Sequence, residues 1–98
     1  MMKSSVERRL RDVGKRLTKH RDDLRIAEEQ LAQLVDEADD ARLRALVSET
    51  PISEREHKHA ARHADKMRRH RADLQDKISE LESRQNQLLD EIAERQRP

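Results

Sequence analysis

The 98-residue chain contains no phenylalanine, tryptophan or tyrosine, no cysteine, one glycine and two prolines. Each shortage excludes something. Aromatic side chains bury the most area per residue, so any core must be thin and built from Leu, Ile, Val, Met and Ala. Without cysteine there is no disulfide, no thiolate nucleophile and no Cys-bearing zinc site. A single glycine leaves no glycine-rich loop to cradle a phosphate. No apolar run approaches the roughly 20 residues that span a bilayer. The opening Met1–Val6 lacks the apolar stretch of a signal peptide, so the expectation is a soluble cytoplasmic protein with no membrane partner. The formal net charge of +1 gives no overall bias toward nucleic acid or an acidic surface.

What the chain does have is charge, at 44% of residues, against 33% apolar. Ala, Glu, Lys, Leu and Arg dominate, which is the profile of a coiled coil or long helix. Disorder is the competing reading of so much charge, and periodicity opposes it. Leu10, Leu17, Leu24, Leu31, Ala38 and Ala45 recur every seven residues and take heptad position a. Val6, Val13, Ala27, Leu34 and Ala41 take position d, with His20 as its polar entry. In the second half Ala64, Ile78 and Ile92 take a, while Ala60, Met67, Leu74, Leu81 and Leu88 take d. Arg71 and Gln85 are polar a positions there. Heptads sustained this long without a stutter predict paired helices.

Pro51 lacks the backbone donor of a continuous helix and disfavours helical geometry at Thr50. Ser53 and Glu56 have capping-box spacing, and Thr50 followed by Pro51 is an equally lawful start. The expected organisation is one helical hairpin over residues 1–98: helix one about 5–48, a turn about 49–52 and helix two about 53–96. A single helix kinked at Pro51 is the runner-up.

Charge blocks favour folding back. Residues 1–25 carry a net +5, 26–54 carry −6, 55–71 carry +5 and 72–98 carry −3. An antiparallel fold sets each block against its opposite, whereas a parallel homodimer of either helix sets like on like. The predicted fold class is therefore all-α, two long helices in an antiparallel coiled-coil hairpin, with a second copy able to complete a four-helix bundle.

Two registers compete. If facing residue numbers sum to 105, His20 meets Gln85 as a core polar pair, and Arg16–Glu91, Arg21–Glu82, Asp23–Arg84 and Glu37–His70 flank the seam attractively. A sum of 98 sets His20 on Ile78, Gln85 on Val13 and Arg16 beside Arg84. The first is preferred, since a buried polar group left unpaired costs about 1–3 kcal/mol.

Candidate functional residues lie outside the seam. Leu43, Leu46 and Val47 share an outer face of helix one just before the turn, with Ile52 in the turn. They either fold over the alanine layers or form a partner interface, for a second copy or another protein. Ile26, Val35, Leu89 and Ala93 are a weaker set. His57, His59, His63 and His70 cluster on helix two, but Lys58, Arg62, Lys66, Arg68 and Arg69 crowd them. Positive charge opposes a divalent cation, so neither metal nor cofactor is expected, and the histidines read as solvated, with pH sensing as the alternative. The basic runs around Arg8–Lys19 and Arg68–Arg71 suggest phosphate-backbone contact, yet no aromatic is there to stack on bases. No catalytic constellation or pocket-forming core is visible, so an enzyme is not expected. The expected function is a small interaction, adaptor or regulatory module acting through protein–protein contacts, the alternative being a nucleic-acid-associated helical protein.

Overall fold

The structure, a computed structural model, describes residues 5–97. Helix α1 runs from Ser5 to Ser48 and helix α2 from Pro51 to Arg95. They pack on each other as an antiparallel coiled-coil hairpin, the fold class the heptads imply. Every buried residue among those described lies at an a or d position. No described helix is long and apolar enough to cross a membrane.

The chain divides into two compact units: one takes the residues up to Asp23 and from Leu74, the other takes Leu24–Asp73. In the first, Val6, Val13 and Leu17 of α1 are buried, as are Leu74, Ile78 and Leu88 of α2. Leu17 is 1% exposed, and full burial of such a side chain contributes about 1.5–3 kcal/mol. In the second, Ala27, Leu31, Ala41 and Ala45 are buried, with Ser53 and Ala64 from α2. Its core is mostly methyl-sized.

The turn is two residues long. The Glu49 N–H donates to the Ala45 carbonyl at 3.0 Å, closing the last turn of α1. Glu49 then adopts a left-handed φ of 53°, the conformation that usually ends a helix at glycine. Thr50 caps α2: its Oγ1 accepts from the Ser53 N–H at 3.1 Å, and the Ser53 Oγ accepts from the Thr50 N–H at 3.3 Å. The Ser53 hydroxyl also donates to the Thr50 carbonyl at 3.0 Å, and Thr50 Oγ1 donates to Ser53 Oγ at 2.8 Å. This is a capping box with serine in place of the acid. It accounts for the one buried polar residue among those described, Ser53. Helix two thus begins at Pro51, two residues before the expected start, because the Thr50–Pro51 cap prevails over the Ser53–Glu56 cap.

So short a turn corrects the register. Joining Ser48 to Pro51 through two residues centres the fold between Glu49 and Thr50, and of the two heptad-compatible sums only 98 accommodates that. Sum 105 would need the chain to reverse near residue 52, which is already helical. Ala45 is thereby set opposite Ser53 in the second unit, and Leu17 opposite Leu81 in the first. Arg16 and His20 border one hollow with Leu81 and Arg84, the neighbours that 98 brings together. Arg21 still reaches Glu82, at 3.6 Å. Helical side chains lean toward their own N-terminus, so in an antiparallel pair two residues on the turn-distant and turn-near sides of a level converge.

Three substitutions test this account of the backbone. Glu49→Gly relieves the left-handed conformation and raises unfolding free energy by about 1 kcal/mol. Thr50→Ala removes the cap and lowers it by about 1 kcal/mol. A Cβ at Gly14 would meet nothing within 4 Å, so Gly14→Ala gains about 0.8–1 kcal/mol of helix propensity. Urea unfolding followed by far-ultraviolet circular dichroism reads all three.

Candidate interaction surface

Polar residues interrupt the seam at Ser53, where the turn cap satisfies the hydroxyl, and at four further places. His20, His57, Arg71 and Gln85 are all half-buried. Nδ1 of His20, Nδ1 of His57 and Nε of Arg71 are covered from solvent without a hydrogen-bond partner. The expected core pair is not made: no hydrogen bond joins His20 to Gln85, because the register separates them by a heptad along the seam. His57 at position a and Ser53 at position d fall outside the seam positions assigned from the periodicity. Extending the heptad grid from Ala64 and Ala60 back toward the turn finds both.

Of the expected flanking ion pairs, Arg21–Glu82 forms across the helices, with both side chains about half exposed. Such a pair is worth about 0–1 kcal/mol. Arg16 turns to Asp12 of its own helix at 3.6 Å, and Asp23 to Lys19 at 3.0 Å. No ion pair joins Arg16 to Glu91, Asp23 to Arg84 or Glu37 to His70. In the observed register these partners lie too far apart along the axis. Two further ion pairs among the described residues, Arg25–Glu29 and Arg68–Asp65, are also within one helix.

The apolar residues before and in the turn stay in solvent. Leu43 is 52% exposed, Leu46 63%, Val47 86% and Ile52 63%. They do not fold over the alanine layers. Their placement follows from the heptad: none is at a or d, and α2 starts immediately after the turn, so no loop remains to cover them. Of the weaker set, Ile26 and Leu89 are exposed, Ala93 is exposed and Val35 is half-buried.

His59 and His63 stand one turn apart with ring centroids at 4.9 Å and planes tilted by 41°. No group of three or more His, Asp or Glu among the described residues is arranged to hold a metal ion. His63 and His70 instead flank a shallow hollow of about 320 Å³ with Leu34, Lys66 and Met67. Sequence reasoning missed this hollow. A signal for it exists once the phase is known: the register sets Leu34 near small Ala64, leaving Leu34 and Met67 incompletely covered on one side of the seam.

No protein-family model, curated protein or solved structure matches the chain.

A double-mutant cycle of His20→Ala and Gln85→Ala tests the register energetically. The two effects on unfolding free energy should add to within about 0.3–0.5 kcal/mol, as for residues that share no contact. Arg71→Leu should stabilise the hairpin by about 1 kcal/mol or more, by removing the orphaned Nε and filling the seam.

Proposed function

We propose that this chain is a small non-enzymatic interaction module acting in the cytoplasm through protein–protein contacts, and that Leu43, Leu46, Val47 and Ile52 are its docking surface. The observation that supports this most is their exposure, from 52% to 86%, at one end of a hairpin whose other apolar side chains mostly line its seam. Contiguous apolar surface of this kind is uncommon on proteins that make no contacts. Arg42, Arg44, Glu49 and Arg55, all exposed, adjoin these residues along the chain and would supply the polar border that a specific interface has around an apolar centre. The module contributes rigid spacing and shape; its partner contributes the chemistry.

An immobilised hairpin should retain a defined protein or proteins. The triple substitution Leu43→Ala, Leu46→Ala and Val47→Ala should abolish retention while leaving helix content unchanged, since none of the three is in the seam. Equal retention by the triple variant would overturn the reading.

One observation favours a second reading. Lys58, Arg62, Lys66 and Arg69 of α2 make no ion pair, so their charge is available to a phosphate backbone. Retardation of DNA or RNA near physiological salt, falling steeply as salt rises, would establish that reading in place of the first.

A further inference from the structure

The unit formed by Leu24–Asp73 has two sides flanking its seam, and they differ. On the side of heptad positions g and c, α1 presents Glu37 and Asp40, while α2 presents His63 and Lys66. All four are exposed, and none makes an ion pair or hydrogen bond within its own hairpin. Between them lies the hollow bordered by Leu34 and Met67. Val47 and Ile52, 86% and 63% exposed, close the turn end of the same side, and Ile26, 44% exposed, lies on it farther along α1. Around that hollow the side is an apolar strip with acid on its α1 edge and base on its α2 edge; Arg44 and Glu56, also at position g, reverse the signs nearer the turn, and Asp73 lies at the far end of the α2 edge.

We propose that the strip is the interface of a two-fold symmetric homodimer in which the second copy completes a four-helix bundle around residues 24–73. The charges select the occupant and its direction. A two-fold axis parallel to the helices sets α1 of one copy against α2 of the other at the same height, with the two turns at the same end. The offset that lets Arg21 reach Glu82 within one hairpin is a residue sum of 103. Glu37 with Lys66, and Asp40 with His63, have that same sum, so across the axis each acid meets a base, and symmetry forms each pair twice. Val47 then meets Ile52 of the other copy, and the two hollows face each other, covering Leu34 and Met67. A two-fold axis perpendicular to the helices would instead lay α1 on α1, acid on acid, which is disfavoured. The second copy thus takes the Val47 and Ile52 part of the docking surface, and Leu43 and Leu46, at outer positions f and b, remain outside the bundle for a further partner.

The inference rests on the reading of the chain as an interaction module, and analytical ultracentrifugation of charge-reversed variants tests it separately. The wild type should sediment at twice the 11.6 kDa chain mass. Glu37→Lys with Asp40→Lys in one variant, and His63→Glu with Lys66→Glu in another, should each give monomers. Mixed in equal amounts they should recover the dimer, because each reversed edge then meets its complement. A wild-type monomer, variants that each remain dimeric, or a mixture that remains monomeric would overturn the proposal. If a reversed variant loses its helix, a cysteine pair decides the matter instead. The chain has no cysteine of its own, so mixed Val47→Cys and Ile52→Cys copies should oxidise to a heterodimeric disulfide, and failure to cross-link would count against the interface. A monomer that still retains a protein through Leu43 and Leu46 would overturn the dimer and leave the interaction-module reading intact.

Discussion

The connection between Ser48 and Pro51 is the constraint from which the rest of the hairpin follows. A heptad seam can slide by seven residues without changing which side chains face inward, so the seam alone leaves the pairing degenerate. A two-residue turn removes that degeneracy. Glu49 in a left-handed conformation ends α1, and the reciprocal Thr50–Ser53 bonds start α2 almost at once. Once the apex is fixed, so is each layer of the core, the position of each polar interruption and the composition of each edge.

The register set by the turn is not the one that pairs polar groups best. It leaves Nδ1 of His20 and of His57, and Nε of Arg71, covered and without partners. It also brings Arg16 and Arg84 to one hollow. The alternative would have joined His20 to Gln85 and added ion pairs along the flanks. The flanking ion pairs forgone are exposed ones worth a few tenths of a kcal/mol each, and His20 and Gln85 are only half-buried, while lengthening the turn would unwind the first residues of α2 and sacrifice its cap, worth about 1 kcal/mol. Local backbone bonding outweighs the flanking charges.

This explains what could be read from the residues and what could not. The seam was legible except next to the turn: Leu10, Leu17, Leu31 and the other periodic positions are buried or half-buried, while Ser53 and His57 went unassigned because neither is apolar, and periodicity is a local property of each helix. The presence of a break at Pro51 was legible for the same reason. The phase between helices was not, because it depends on one or two dihedral angles near residue 49, and a left-handed Glu49 carries no glycine to announce it. The exposed turn-end residues were named from the sequence, yet whether they would fold inward turned on how much loop remained beyond α1. The hollow beside Leu34 and Met67 lay further out of reach, since it is a consequence of the phase.

The small side chains nearest the turn have a consequence for motion. Ala45 faces Ser53 and Ala38 faces Ala60, with the half-buried His57 opposite Ala41 between them, so these layers bury little apolar area. The free energy that closes those layers is correspondingly small, while the backbone bonds of each helix persist when the layers part. Peptide groups near the turn therefore exchange their hydrogens through local excursions, not through global unfolding. The segment that presents the exposed leucines is thus held by its turn more than by its seam, so a partner binding there would cover the layers that bury the least apolar area.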